Sequence, residues 1–373
     1  MKSSLAISGR NLTFILICSS GGLALTLAGL SIGWMIGTLV MAGVLSMLNP
    51  KWVSRLHVEK GLQSYWLKAG QLMLGVQIGM QVNGSILTAL NRGWLPVLIM
   101  ILASIVLSLV SGMALFHFSK TDLITSLYGT TPGGLSSMIG IAADAGANMA
   151  VVSIIQTMRV ILVESTVPFI VSIWNGPVQE RAATAGVADK LTPASAAGLL
   201  LLIIIAVMSA LLGEKIKVPA PWLLGTMLGA AAARIVFGVI TASALPVWQP
   251  HVLVIAAQVT IGTCVGSRLN RKMFVDIARI AFVGLMGSIG LTAAMFLCAL
   301  LVSDLTGIDQ VTSILAFAPG GIDVMAVTSE ALHANSTFVV AVQVLRVLAI
   351  CTLLPPFFAL LNRHRAQTDP ASK

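Results

Sequence analysis

Charge is scarce in this sequence: Asp, Glu, Lys and Arg together occupy 9% of its 373 positions, whereas a soluble domain carries about a quarter. That shortage excludes a water-soluble globular class. Cysteine is as sparse, and Cys18, Cys264, Cys298 and Cys351 all lie in apolar runs without CxxC spacing. They read as small buried hydrophobes, which leaves no disulfide framework. The histidines, His57, His117, His251, His333 and His364, stand apart without HxxxH spacing or a Cys/His set. No metal centre, cofactor or enzyme activity is expected from such a pattern. Long polar stretches are missing too. The longest, near residues 49 to 66 and 173 to 193, are too short for a DNA-binding domain. The net charge of +9 is spread over short connections with no basic stripe, so nucleic acid is not an expected partner.

Hydrophobic residues fill the space that charge leaves, at 57% of the chain and a mean hydropathy of +0.96. The expected class is an all-α, multi-pass integral membrane protein whose first partner is the lipid bilayer. Runs of spanning length fall near residues 13 to 30, 33 to 48, 67 to 84, 94 to 116 and 147 to 172. A second set falls near 194 to 213, 221 to 240, 252 to 269, 280 to 302 and 334 to 361. Trp52, Trp66, Trp94, Trp174 and Trp248 lie near run ends, where amphipathic rings suit the membrane interface. The first run follows Lys2 and Arg10 as a signal peptide would, but its counterpart at 194 to 213 and the lack of an A-x-A site favour a retained helix.

The two sets correspond residue by residue. Pro132, Gly133 and Gly134 recur as Pro319, Gly320 and Gly321, 187 positions later, and the same shift carries Asn148 to Asn335, Gln156 to Gln343 and Arg159 to Arg346. "QLMLGVQIG" from Gln71 matches "QVTIGTCVG" from Gln258 at that spacing, and "WMIGT" from Trp34 matches "WLLGT" from Trp222 at 188. The chain therefore reads as two tandem repeats, residues 1–175 and 194–362, joined by a linker at 176–193 and followed by a tail at 363–373. Lys51, Arg55, Lys60 and Lys68 mark one loop as cytoplasmic, and Arg268, Arg271, Lys272 and Arg279 mark another. Those loops differ by one crossing in their place within the repeat, as inversion requires. Five crossings per copy, with the Pro-Gly-Gly segment re-entrant, satisfy this pattern and place the tail inside; full crossings would make the copies parallel.

Breaking a membrane element leaves N–H and C=O groups unpaired, which is tolerable only against protein or a water-filled cavity. Each Pro-Gly-Gly segment supplies that break: proline lacks a donor, glycine permits close approach, and the half-helix that follows begins with free N–H groups and a positive dipole end. Ser136 and Ser137 in copy one, and Asp323 in copy two, stand at an N-cap or first-turn position. The following helix carries Asn148, Gln156 and Arg159 on one face, and Asn335, Gln343 and Arg346 repeat the spacing. An arginine at that depth needs a partner. Asp144 and Glu164 are candidates in copy one, Asp323 and Glu330 in copy two, and an ion pair and a ligand contact remain alternatives for each arginine. The glycine pairs Gly75/Gly79 and Gly262/Gly266 read as close helix packing. His333 follows Glu330 by three positions, a spacing open to a proton relay or an interfacial histidine.

The paired segments, the trailing Asn…Gln-x-x-Arg helices and the duplication resemble the AbrB family of Gram-negative inner-membrane proteins, unrelated to the soluble transition-state regulator of the same name. Family members are often labelled an ammonia monooxygenase or a regulator of gene expression, and the family is distantly similar to the cation/proton antiporter and anion transporter superfamily. The resemblance implies a multi-pass protein of the bacterial inner membrane. Read with the residues, it implies a secondary transporter of a small anionic solute, with a midplane site drawn from Pro132, Gly133, Gly134, Ser136, Asn148, Gln156, Arg159, Pro319, Gly320, Gly321, Asn335, Gln343 and Arg346. Asp323, Glu330 and Asp144 are the candidates for proton or sodium coupling. The alternative is a membrane protein that regulates gene expression indirectly, and the sequence leaves a homo-oligomer open.

Overall fold

Lipid offers the backbone no hydrogen-bond partner, so apolar runs of this length close their bonds internally as helices. The computed structural model describes residues 2–30, 32–50, 53, 62–81, 85–133, 138, 141–143, 145–174, 193–216, 218, 220–241, 251–269 and 278–368. Helix is the only regular structure among them. In chain order the helices are α1 (Lys2–Leu27), α2 (Gly33–Leu48), α3 (Ser64–Gln81), α4 (Ser85–Ser119), α5 (Leu123–Thr130), α6 (Met149–Trp174) and α7 (Pro193–Lys215). They continue with α8 (Pro221–Thr241), α9 (His251–Gly266), α10 (Ala278–Thr306), α11 (Gln310–Phe317), α12 (Ile322–Ala331) and α13 (Ser336–Thr368). Seven are long and apolar enough to cross a membrane, and Gly33–Leu48 and Val252–Gly266 are shorter apolar helices. Large side chains such as Val110, Leu200, Val239, Leu297 and Leu305 stand exposed. Such surface suits lipid rather than water. The chain is a multi-pass α-helical membrane protein.

The helices group into two units. The first comprises Met1–Leu90, Ser165–Asn270 and Ile322–Val339. Here α1 packs on α2 and α7 on α8, while α2 meets α9, α8 meets α3, and α3 and α9 pack on each other. Glycine makes the closest of these approaches possible. A Cβ at Gly75 would stand 1.9 Å from Thr226 Oγ1 and 2.5 Å from the Leu223 carbonyl, and one at Gly262 would stand 2.4 Å from Thr38 Oγ1 and 2.6 Å from the Met35 carbonyl. Gly79 and Gly266 lie equally close to the carbonyls of Met227 and Leu39. Backbone thus meets backbone, with dispersion in place of a hydrophobic driving force. Thr38 and Thr226 turn their hydroxyls back onto the Trp34 and Trp222 carbonyls, each at 2.8 Å.

The second unit comprises Asn91–Glu164, Arg271–Gly321 and Val340–Lys373. Its distinctive elements are the eight-residue helices α5 and α11. Each begins on an aspartate cap: Asp122 accepts the Thr125 N–H and Asp309 the Thr312 N–H, both at 2.9 Å. Helix α5 lies beside α6 and runs in the same sense. Thr125 Oγ1 accepts the Asn148 N–H at 2.8 Å, the Tyr128 carbonyl accepts from Gln156 at 2.8 Å, and the Thr130 carbonyl accepts from Arg159 at 2.9 Å. Since α5 and α6 start at the same end, the chain after Thr130 must return there before α6 begins. Arg159 lies eleven residues past Asn148, about 16 Å along the helix. Helix α11 accompanies α13 in the same way, through Leu315 to Gln343 and Ala318 to Arg346.

Both return paths end alike. The N–H groups of Ala145, Gly146 and Ala147 bond to the carbonyls of Ile141, Ala143 and Ala142, and those of Leu332, His333 and Ala334 bond to Thr328, Glu330 and Ser329. Gly146 and His333 take the left-handed conformation that closes such a helix end, at φ of 77° and 55°.

The glycine contacts predict a sharp contrast in stability. Gly75→Val or Gly262→Val should lower the unfolding temperature of the detergent-purified protein by several degrees or prevent its recovery, because an overpacked backbone contact costs about 1–3 kcal/mol or more. Gly290→Ala, with nothing within 4 Å of the added carbon, should unfold as the parent does.

Candidate functional site

A helix ends with four carbonyls that lack intrahelical partners, and leaving one unpaired in lipid costs several kcal/mol. Helices α5 and α11 each end in that state inside the protein, and the buried Gln and Arg of the neighbouring long helix resolve it. Gln156 and Gln343 are fully buried, and Arg159 and Arg346 are 3% and 2% exposed. In copy two the capping is dense. Gln343 Nε2 donates to Leu315 and Ala318 at 2.8 and 3.1 Å. Arg346 Nη1 donates to Phe317 and Ala318 at 3.4 and 2.5 Å, and Nη2 to the Gly320 carbonyl at 3.2 Å. Gln343 Oε1 accepts a further bond from Arg346 at 2.6 Å, fixing the guanidinium plane. A cation at a helix C-terminus also meets the negative end of the dipole.

The N-terminal side of the second break is held by an anion. Glu164, 3% exposed on α6, accepts the Gly321 N–H at 3.1 Å. A Cβ at Gly321 would lie 2.2 Å from Glu164 Oε1, so a side chain there would have to displace that carboxylate. The Gly320 carbonyl and the Gly321 N–H belong to one peptide group, so Arg346 and Glu164 hold its two ends. At the first break Cys351, 187 positions beyond Glu164, donates its thiol to the Gly133 carbonyl at 3.1 Å. That half-buried cysteine is a hydrogen-bond donor as well as an apolar filler. Pro132, Gly133 and Pro319 are buried in these turns. Gly134, Ser136 and Asp144 lie outside the described residues.

Two predicted site residues have a capping role. Asn148 Oδ1 accepts the N–H groups of Ala150 and Val151 at 3.1 and 3.2 Å, and Asn335 Oδ1 accepts that of Phe338 at 3.1 Å. They are the N-caps of α6 and α13. The acidic residues of α12 belong to the first unit. Asp323 does not cap its helix; its Oδ1 accepts from Gln71 Nε2 at 2.9 Å. Glu330 Oε1 accepts from Gln77 and Gln81 at 3.2 and 2.7 Å, and its other oxygen from Ser336 at 3.4 Å. Helix α3 thus faces α12 with a row of carboxamides. Sequence reasoning passed over this row, although three glutamines within one helix were the available signal. Among the described residues the one ion pair is Lys68–Glu214, at 2.7 Å and partly exposed, so backbone carbonyls, not carboxylates, are the observed partners of Arg159 and Arg346.

These features define an α-helical membrane protein in which buried Gln and Arg side chains bond the carbonyls that lead into each Pro-Gly-Gly segment. The model of the family described as "Transition state regulatory protein AbrB" matches residues 34–362, and the chain belongs to this AbrB family. A Bacillus subtilis (strain 168) protein, the uncharacterised YhjN, is 45% identical over 370 residues, 97% of this chain and 96% of that protein. An Escherichia coli (strain K12) protein provisionally named regulator AbrB is 29% identical over 299 residues, 79% of this chain and 82% of that one. With a Bacillus relative this similar, the family is not confined to Gram-negative bacteria. No solved structure matches the chain.

The bonding separates bracing from capping by magnitude. Gln343→Leu leaves the Leu315 carbonyl without its side-chain partner, at about 1–3 kcal/mol for a buried group left unpaired, and also takes one bond each from the Ala318 carbonyl and Arg346. Asn335→Ala removes one cap, worth about 1 kcal/mol. Thermal unfolding in detergent should therefore show Gln343→Leu as clearly the more destabilised; the reverse order would contradict the assignment.

Proposed function

We propose that the protein is a secondary transporter of a small anionic solute, built from two inverted repeats and bound to the bacterial inner membrane. The observation that carries this reading is the pair of short helices whose end carbonyls, beside the Pro-Gly-Gly segments, are bonded by buried arginines. A bilayer-spanning protein that needed only stability would have no use for interrupted backbone at its centre, because each interruption exposes polar groups that continuous helix would satisfy. Discontinuous helices at a repeat interface are how many secondary transporters form their sites. The repeated packing supports the duplication: α1 on α2 mirrors α7 on α8, and α2 on α9 mirrors α8 on α3. The anion preference rests on the arginines. Arg159 donates to one carbonyl and Arg346 to three, yet the Nε of each is buried with no hydrogen-bond partner, and positive charge at the breaks favours a negative solute. Asp323 and Glu330, each bonded by neutral carboxamides, are suited to exchange a proton or to hold sodium.

The name of the Escherichia coli relative supports a second reading, regulation of gene expression. Within these 373 residues it would act indirectly, through a transported solute or a partner protein, since neither polar stretch is long enough for a DNA-binding module.

A screen of small anions by thermal stabilisation of the purified protein, followed by uptake into liposomes, tests the proposal. Accumulation driven by a proton or sodium gradient is expected, and Asp323→Asn should keep solute exchange while losing gradient-driven accumulation. Full accumulation by the Asn variant would remove Asp323 from coupling, and no stabilisation or uptake by any anion would contradict the transport reading.

A further inference from the structure

Glu164 and Cys351 occupy one place in the repeat pattern, 187 positions apart, and each follows the arginine of its own long helix by five residues. Five residues carry a helix about 7.5 Å along its axis and about 140° around it, so the arginine and the later residue serve different sides of the same helix. On α6, Arg159 bonds the Thr130 carbonyl that leads into the first break, and among the partners of Glu164 is the Gly321 N–H of the second break, at 3.1 Å. On α13, Arg346 bonds the Ala318 and Gly320 carbonyls of the second break, and Cys351 donates to the Gly133 carbonyl of the first at 3.1 Å. Each long helix therefore holds both breaks.

Packing around the first break agrees. Ile350, Leu354 and Phe358 of α13 are buried in one cluster with Leu127 and Tyr128 of α5 and with Met138, Ala142 and Ala147, which follow the first break. The Tyr128 and Phe358 rings meet edge to face with centroids 4.9 Å apart, and a Cβ at Gly133 would stand 3.0 Å from the Ile350 side chain. All of these groups belong to the second unit. The first break is thus walled by a helix from the far half of the sequence.

We propose that Glu164 and Cys351 are paired positioning residues that tie the two breaks into a single moving element, so that neither changes conformation without the other. The exchange of partners makes the link. Displacing the second break pulls on α6 through Glu164 and on α13 through Arg346, and those two helices hold the first break through Arg159 and Cys351. A packed interior gives by switching between discrete arrangements rather than by stretching, so a shift at one break passes to the other. This deepens the transport reading and rests on it for its purpose, since a solute bound at one break then acts on both.

The test perturbs the second break and reads the first, with Cys351 as the reporter in the full chain after Cys18, Cys264 and Cys298 are replaced by Ala. Gly321→Ala sets a carbon against the Glu164 carboxylate and displaces it. With linked breaks the Cys351 thiol leaves the Gly133 carbonyl more often, and N-ethylmaleimide should label it at least about threefold faster than in the parent, a change within the range that coupled residues show. Glu164→Asp, one methylene shorter, should act in the same direction and carries the test if the Ala variant does not fold. Gly75→Ala loosens the first unit at the Thr226 contact and should leave the labelling rate at the parent's value. Unchanged labelling in both Gly321→Ala and Glu164→Asp would overturn the link, and so would an equal acceleration by Gly75→Ala, which would mark general loosening. No solute enters this measurement, so either result leaves anion transport standing, whereas a failed uptake screen removes transport and leaves the link between the breaks.

Discussion

One peptide group, between Gly320 and Gly321, carries the constraint on which the second unit depends. Its carbonyl accepts from Arg346 on α13 and its N–H donates to Glu164 on α6. A guanidinium and a carboxylate thus lie at opposite ends of a peptide dipole, each in its favourable place. Continuous helix would have satisfied both peptide atoms internally, so the break persists only because two buried charges replace those bonds. The charges need the peptide in turn. Burying an arginine at membrane depth costs about 2.5–3.5 kcal/mol on insertion scales, and hydrogen bonds to a charged group return about 1.5–3 kcal/mol each. With carbonyls at Phe317, Ala318 and Gly320 plus the Gln343 oxygen as partners, Arg346 is stable where an unpartnered arginine would not be.

The first unit meets a different requirement with different chemistry. Its helices approach closely through Gly75, Gly79, Gly262 and Gly266, a dry contact that needs no polar partner. Within that tight frame the glutamines of α3 meet Asp323 and Glu330 of α12. A neutral amide donor stabilises a carboxylate less than an arginine does, which leaves its charge state more easily changed. One unit therefore bonds its buried charges to fixed backbone groups, while the other leaves its acids with neutral partners.

Much of this was legible in the sequence because it repeats. Pro132/Pro319, Gln156/Gln343 and Arg159/Arg346 recur at one spacing, and polar residues in an apolar run signal themselves through the cost of burial. The all-α membrane class followed from composition, and the glycine pairs read as the packing they perform. Which atoms the polar residues bond to was not legible. Gln and Arg can serve a ligand or a carbonyl equally well, and Asn148 and Asn335 share a helical face with them while acting as caps. The bonds from Gln71 to Asp323 and from Glu164 to Gly321 join positions 252 and 157 residues apart, and no local periodicity marks such pairs. Glu164 is further disguised by its counterpart, since Cys351 shares its place but not its charge.

The most direct test of this account is a double-mutant cycle on thermal or denaturant unfolding with Arg346→Gln, Glu164→Gln and the two combined. If the Gly320–Gly321 peptide joins the two charges, the single losses will not add, and a coupling of about 0.5–3 kcal/mol will separate the double variant from the sum of the singles. Strict additivity would mean that each charge is held on its own, and the bridging peptide would lose its place at the centre of the fold.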